Sequence, residues 1–336
     1  MKKYELPAVA DATTVAGWQL VEAETPQPGP GQVLVRVRAV SLNYRDLMIS
    51  KSAGRQRALV PCSDGAGEVT AIGAGVTRVQ TGDRVAGIFF QTWLDGPLAE
   101  EVHAQALGGS ANGMLVEYVV LSEQGVVKLP DYLSYEEAAS LPCAGVTAWN
   151  ALVEQGRLQP GQTVLLQGTG GVSILSLQLA KAAGARVIIT SSSDEKLARA
   201  RELGADETIN YRSTPEWEKE ARRLTHGLGA DHVVEVGGGG TLDKALAATR
   251  ASGHIAVVGV LTGAAAAIST GVILSKSLRL TGIYVGSRAM FERYLRALAQ
   301  HQLRPVIDRV FDFEEAPAAL AYLDSGQHFG KIVVRV

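Results

Sequence analysis

The segment Gly168-Thr-Gly-Gly-Val-Ser173 constrains this chain more than any other. It follows the apolar run at 163–167 and opens a second apolar stretch, so its glycines permit a tight turn from a strand into a helix. Backbone N–H groups at such a helix start can approach an anionic pyrophosphate closely. From Thr163 onward, short apolar runs at 163–167, 186–190, 207–210, 232–236, 254–259 and 278–285 alternate with helical spacing at 172–183, 194–203, 215–226 and 241–249. Six buried strands joined by crossover helices predict an α/β domain with a doubly wound parallel sheet. Gly184 and Gly204 stand where the first two helices should stop. Ser173 replaces the third glycine of the dinucleotide fingerprint, and an ordinary strand-to-helix turn is the plainer reading of the loop taken alone.

The flanking sequence has another character. Residues 1 to about 125 carry short β-rich runs such as Val33-Leu-Val-Arg-Val-Arg-Ala-Val40, whose period of two marks a half-buried strand. Turn residues at 28–31, 73–75 and 81–83 punctuate them as in a small barrel-like fold. After a helix near 289–300, the ending Gly330-Lys-Ile-Val-Val-Arg-Val336 resumes this style. The expected boundaries are therefore a mostly β domain over 1–126, a cofactor domain over 127–284, and a return to the first domain over 285–336. A chain of 336 residues supports two domains, and a small-molecule cleft between domains is the usual expectation.

Hydrophobic residues make up 46% and charged residues 20% of the chain, ordinary values for a folded protein, and the net charge is −2 without a basic stripe. Nucleic acid is thus a poor partner. The opening MKKYELPAVADATT has no apolar core after its lysines, and the run 255–268 is broken by glycine and threonine. Neither a secretory signal nor a membrane span is expected, and a cytoplasmic location follows. Cys62 and Cys143 are too few for a disulfide framework or a four-cysteine zinc site.

The cofactor side can be read further. Gly168, Thr169, Gly170, Gly171 and Val172 are the expected phosphate contacts. An NAD-binding site would end its second strand in an acid for the ribose 2′-hydroxyl, but this strand ends in Ser191-Ser-Ser-Asp-Glu-Lys196. With Ser191 and Ser192 there and Lys196 one helical turn on, NADP(H) is favoured over NAD(H). Ser192 with Glu195 also reads as a capping box.

Together with the glycine loop, Ser41-Leu-Asn-Tyr-Arg-Asp-Leu47, Asp64-Gly-Ala-Gly-Glu-Val69, Leu141-Pro-Cys-Ala-Gly-Val-Thr-Ala-Trp149 and Gly330-Lys-Ile-Val333 resemble the medium-chain dehydrogenase/reductase superfamily over essentially the whole chain. The likeness is strongest to its zinc-independent branch of quinone oxidoreductases and enone reductases. It implies a GroES-like catalytic domain made from both chain ends, a central Rossmann domain, and a homodimer joined through the Rossmann sheets. It also implies Thr147 beside the nicotinamide, Tyr211 near the adenosine phosphate, and Asn43 and Tyr44 on the substrate side. Where zinc-containing members carry cysteine, histidine and cysteine, this sequence has Asn43, Ser63 and Cys143. One thiolate does not make a catalytic zinc site, and His103, His226, His232, His254, His301 and His328 lack ligand spacing and read as surface or loop residues.

The chemistry follows from that departure. Zinc assists alcohol oxidation by acidifying bound oxygen, whereas a quinone or an α,β-unsaturated carbonyl delocalises the charge brought by hydride and needs only a hydrogen-bond donor. The expected catalytic residues are Tyr44 and Asn43, with packing and turn-stabilising roles as the plainer alternatives. Asp46 reads as structural, paired with Arg45 or another base, while Asp64 is left open. Gly237 and Gly259 end strands at the cofactor edge, where glycine also serves plain turns. Phe90 and Trp93, in the irregular stretch 88–115, are read either as a substrate cap or as loop anchors, and Tyr284 as a further substrate contact. The expected function is zinc-free, NADPH-dependent reduction of a quinone or enone. A zinc-free alcohol dehydrogenase or carbonyl reductase, and a non-catalytic NADPH sensor, are the alternatives.

Overall fold

The computed structural model describes residues 1–8, 17–53 and 55–336. The opening stretch read against a secretory signal therefore lies partly outside the described residues. Two units divide the chain: Met1–Val146 with Val285–Val336, and Thr147–Tyr284. The first unit begins with β1 (Lys2–Glu5), β2 (Gln19–Glu22), β3 (Gln32–Ser41), α1 (Tyr44–Ser50), β4 (Asp64–Ile72), β5 (Arg84–Gly87), β6 (Tyr118–Ser122), β7 (Val126–Lys128) and α2 (Tyr135–Ala139). A short helix, α3 (Val146–Trp149), lies at the junction of the two spans, flanked by wide π-turns at Leu141–Gly145 and Asn150–Gln155.

The second unit contains β8 (Thr163–Gln167), α4 (Gly171–Ala182), β9 (Arg186–Ser191), α5 (Asp194–Glu202), β10 (Glu207–Asn210), α6 (Trp217–Leu224), β11 (Ala230–Glu235), α7 (Leu242–Ala248), β12 (Thr249–Val257), α8 (Thr270–Lys276) and β13 (Arg279–Gly282). Its six strands are all parallel in the order β10-β9-β8-β11-β12-β13. That is the doubly wound Rossmann order, with ligand chemistry expected at the carboxyl ends near the reversal between β8 and β11. Val164, Leu165 and Leu166 are fully buried, as a strand covered by helices on both faces requires. Leu165, Ile188, Val233 and Ile255 come from four adjacent strands and pack with Trp217, Leu242 and Leu246 from the covering helices.

The chain then returns through α9 (Arg288–His301), β14 (Ile307–Asp312), α10 (Ala316–Asp324) and β15 (Lys331–Arg335). β15 pairs antiparallel with the end of β3, with Val333 opposite Ser41 and Val334 opposite Val40. The sheet of the first unit runs β14-β15-β3-β4-β5-β7, with β6 also on β3. Val33, Val35 and Val37 face its core and Arg36 is exposed, so the period of two holds in the middle of the strand, while Leu34 and Val40 are buried as well.

The structure differs from expectation in several places. The first boundary falls after Val146 instead of 126, because β7 pairs with β5 and the Cys143 N–H donates to Asp64 Oδ2 at 3.0 Å. The run expected at 254–259 forms a strand over Thr249–Val257, and the one expected at 278–285 keeps only Arg279–Gly282. Two histidines expected at the surface are core residues: His232 and His254 are 3% and 1% exposed, opposite one another on β11 and β12. Their rings meet edge to face at 5.8 Å, and burial lowers both pKa values to about 4. Among the described residues, no helix is long and apolar enough to cross a membrane.

Candidate active site

In the second unit the glycine loop joins β8 to α4. Gly168 has φ +70°, a left-handed conformation that glycine adopts without strain. Gly170 is the N-cap of α4 and has no side chain to satisfy the first-turn N–H groups of Gly171, Val172 and Ser173, the arrangement that suits an anionic phosphate. Thr169 is buried beside them. Ser173 is also buried, and its hydroxyl donates to the Gln167 carbonyl at 2.6 Å, so the serine in place of the third glycine ties α4 to β8.

Ser191 ends β9 and is buried; its carbonyl accepts the Tyr211 N–H at 3.0 Å, while the Tyr211 side chain is exposed. Gly168 N–H approaches Thr190 Oγ1 at 3.4 Å, so Gly168, Ser191 and Tyr211 lie along one strand edge. The cap of α5 is Ser193, whose hydroxyl accepts the Lys196 N–H at 3.3 Å; the expected Ser192–Glu195 box is off by one residue. Ser192 and Lys196 are half-buried, and the nearby Asp194 carboxylate is held by Asn210 Nδ2 at 2.7 Å.

Sequence reasoning missed the pair that shapes the next loop. Glu235 is fully buried, and its Oε1 accepts from Gly237 N–H at 2.7 Å, Gly238 N–H at 2.8 Å and the Thr241 hydroxyl at 2.6 Å. Its Oε2 accepts from Gln167 Nε2 at 2.5 Å. An acid closing an apolar strand immediately before four glycines was the available signal. The glycines at 237 and 259 are required by the protein's own packing. A Cβ at Gly237 would lie 2.1 Å from Thr241 Oγ1, and one at Gly259 would lie 2.3 Å from the Val236 carbonyl oxygen.

The first unit contains a buried polar network. Asn43 is the N-cap of α1; its N–H donates to Asp46 Oδ2 at 2.8 Å, and its carbonyl accepts the Asp46 N–H at 2.9 Å. Asp46 is thus structural, as expected, although Arg45 approaches its Oδ1 only to 3.8 Å. Burial raises the Asp46 pKa to about 6, against the opposing pull of Arg45. Arg45 itself donates to the Leu107 carbonyl at 2.9 Å and lies 4.5 Å from the centre of the Phe89 ring.

Lys331, at the start of β15, is 3% exposed and donates from Nζ to the Leu42 carbonyl and to Asn43 Oδ1, each at 2.6 Å. Asn43 Nδ2 contacts Ser63 Oγ at 3.5 Å, and the Ser63 hydroxyl donates to Asp64 Oδ1 at 2.7 Å. Burial raises the Asp64 pKa, opposed first by the charge of Lys331. Burial, reinforced by Asp64, pushes the Cys143 thiol far above its ordinary value. Cys62 precedes Ser63 with φ +67°, a left-handed backbone rare outside glycine. Gly108 and Gly113 make room for it, since a Cβ on either would lie within 2.5 Å of the Cys62 backbone.

The remaining expected site residues are scattered. Tyr44 opens α1 and is 45% exposed, beside a similarly exposed Met48 one turn on. Thr147 is buried on α3, and Tyr284, beyond β13, is exposed. Phe90 and Trp93 are core residues at 1% and 5% exposure, which corrects their reading as a substrate surface. Phe90 packs edge to face on Phe89 and His103, and Trp93 Nε1 donates to the Gly96 carbonyl at 3.0 Å, so both anchor the irregular stretch.

Two family descriptions match the chain: an alcohol dehydrogenase GroES-like domain over residues 29–131 and a zinc-binding dehydrogenase over residues 171–300. A zinc-type alcohol dehydrogenase-like protein of Schizosaccharomyces pombe is 43% identical over 325 residues, covering 94% of each chain. A quinone oxidoreductase of Pseudomonas aeruginosa is 33% identical, covering 92% of each. A crystallised alcohol dehydrogenase candidate from Sinorhizobium meliloti 1021 superposes with a TM-score of 0.90 at 44% identity over the whole of both chains.

Proposed function

We propose a metal-free, NADPH-dependent reduction of quinones or α,β-unsaturated carbonyls for this chain, which belongs to the medium-chain dehydrogenase/reductase superfamily and is an NAD(P)-dependent oxidoreductase. The observation that carries the metal-free reading is the donor set at the positions where zinc-containing members hold the metal. Asn43 Oδ1 is engaged by an ammonium, Ser63 is a neutral hydroxyl bonded to Asp64, and Cys143 is left as the one thiol of the set. A metal needs deprotonated thiolate, neutral imidazole or carboxylate ligands, and this set does not fit zinc.

A nicotinamide cofactor fits the second unit, where the uncapped start of α4 and the backbone at Gly168, Thr169, Gly170, Gly171 and Val172 would hold its pyrophosphate. When bound, it supplies the hydride. Ser191 at the end of β9 leaves no carboxylate there to repel a 2′-phosphate, which supports NADPH, with Ser192, Lys196 and Tyr211 as its neighbours in sequence or register. In the first unit, Asn43 Nδ2 donates a hydrogen bond to the acceptor oxygen as negative charge develops there, and the exposed Tyr44 phenol supplies a second donor. A conjugated acceptor disperses that charge and therefore reacts without a Lewis acid. The protein works in the cytoplasm as a homodimer on a small-molecule substrate. The outer edge of β13, which pairs with no strand among the described residues, and the exposed Leu274 support that assembly.

The test is NADPH oxidation by chelator-treated protein with a 1,4-quinone, an α,β-unsaturated ketone and a saturated ketone in parallel, followed by product analysis. Turnover of a conjugated acceptor with the saturated ketone inert is expected, with at least a tenfold loss, roughly the effect of one catalytic donor, in Tyr44→Phe or Asn43→Ala. Activity only with the saturated ketone, or only after zinc is restored, would overturn the proposal and favour the alcohol dehydrogenase reading.

A further inference from the structure

We propose that Lys331 is a positioning residue, whose buried ammonium fixes the Asn43 carboxamide in one orientation and polarises its Nδ2 group as the donor to the acceptor oxygen. The inference rests on the reading of Asn43 given above. A lysine ammonium has three donors and no acceptor, so a 2.6 Å contact with the Asn43 side chain can be made only to Oδ1. The amide is thereby oriented by charge, with its NH2 group turned to the other side. There it makes the long 3.5 Å contact with Ser63 Oγ and faces the Asp64 carboxylate, whose charged form it supports. Withdrawal of electron density at Oδ1 makes the Nδ2 hydrogens more positive, as in any chain of charge-assisted hydrogen bonds.

Burying an ammonium costs several kcal/mol unless oxygens and opposite charge surround it. Lys331 has two oxygen partners at 2.6 Å and lies within the electrostatic reach of Asp46 and Asp64. Local sequence does not dictate this contact, because Lys331 and Asn43 are 288 residues apart and meet only through the pairing of β15 with β3. A purely structural clamp between those elements would be achieved by the Leu42 contact alone. The second bond, to a side chain offered as the catalytic donor, marks a role in the reaction. In effect the fold supplies an internal cation among the residues at which zinc-containing relatives would carry a metal.

The experiment combines a double-mutant cycle with a measurement that needs no turnover. Lys331→Met preserves the length of the chain without its charge. With any acceptor the wild type reduces, kcat should fall about 100-fold, as for loss of one oxyanion donor, while KM and the NADPH dissociation constant stay within about threefold. Asn43→Ala should fall similarly, and the double variant should be no more than about threefold worse than the poorer single. Losses that multiply, or a Lys331→Met effect confined to KM, overturn the proposal.

Selective 15N-asparagine labelling reports on four asparagines only. The Asn43 amide pair, identified by its absence in Asn43→Ala, should be narrow and protected from exchange in the wild type and lose protection in Lys331→Met. An unchanged pair overturns the lock whatever the activity, and an inactive wild type with a protected pair defeats only the assigned reaction. If Lys331→Met does not fold, Lys331→Gln serves. It can donate to the same oxygens without charge, and it should keep the amide protected while kcat falls about tenfold. Full activity in that variant overturns the role of the charge.

Discussion

Acidification from about pH 7.5 to pH 5 should destabilise the second unit through its histidine pair. Both imidazoles are neutral in the fold because burial lowers their pKa to about 4, whereas in the unfolded chain they titrate near 6.5. Unfolding therefore takes up protons between these values, so stability is full above about pH 6.5, falls as pH drops towards 4, and levels off below. At pH 5 each ring binds close to one proton more in the unfolded chain, which corresponds to about 2 kcal/mol. Solvent screening at the strand ends and the Asp231 carboxylate beside His232 reduce the pair to roughly 3 kcal/mol in total, while Arg250 and Arg279 act the other way by disfavouring the charged rings. His254→Phe is the informative substitution. Neither ring nitrogen of His254 has a hydrogen-bond partner among the described residues, so the change removes two unsatisfied polar atoms from the core and retains an aromatic ring against His232. Stability at pH 7.5 should be unchanged or raised by up to about 1 kcal/mol, and the loss on acidification should shrink by about half. Urea unfolding at the two pH values, with hydrogen exchange of the β11 and β12 amides assigning the transition, measures both quantities. Asp46 acts in the opposite sense, since its raised pKa favours the fold as pH falls towards 6 and below, but it cancels in the comparison of variant with wild type. An equal acid-dependent loss in His254→Phe and wild type would refute the assignment of neutral, buried histidines.

Two further outcomes test the cofactor unit. Glu235→Gln replaces an acceptor of four hydrogen bonds by an amide with half the acceptor capacity, so unfolding of this unit should become easier by about 2–4 kcal/mol; a shift below about 0.5 kcal/mol would mean that the carboxylate does not hold the glycine loop. Ser191→Asp places a carboxylate at the end of β9, and the ratio of kcat/KM for NADPH to that for NADH should drop at least about tenfold, whereas an unchanged ratio would move the determinant of cofactor choice elsewhere.

The parallel sheet was legible because its strands are continuous apolar runs with glycine at the turns, and the order of β8 to β13 follows from right-handed crossovers. The glycine loop was legible as a strand-to-helix turn for the same reason: its conformation depends on backbone freedom and is written locally. Three serines in a row left the cap of α5 ambiguous by one residue, since each can offer a hydroxyl. His232 and His254 misled because a single polar residue in an apolar run gives no sign of whether the adjacent strand puts a partner opposite it. Phe90 and Trp93 were placed in an irregular segment correctly, but irregular backbone does not imply exposed side chains. α8 and α10 went unread, one just after the glycine- and alanine-rich run 263–267 and the other with a proline near its start.

The polar network of the first unit could not be read from spacing, and the reason bears on how such a site is held. Its members come from residues 42–46, 62–64, 143 and 331, and each segment is fixed by a different local device. Asp46 caps the start of α1 and sets the Asn43 backbone; the left-handed Cys62 turns Ser63 and Asp64 into position; the Cys143 N–H binds Asp64; and strand register delivers Lys331. Because no segment depends on the functional contact for its own conformation, Asn43, Ser63 and Lys331 meet in a geometry already settled when a substrate arrives. That is the condition under which fixed dipoles stabilise developing charge without the cost of reorganisation. It also explains how the unit can tolerate a buried ammonium: the Leu42 carbonyl is placed by backbone structure and the Asn43 side chain, carried on a backbone fixed by Asp46, completes the pair of oxygens that meets the desolvation of Lys331.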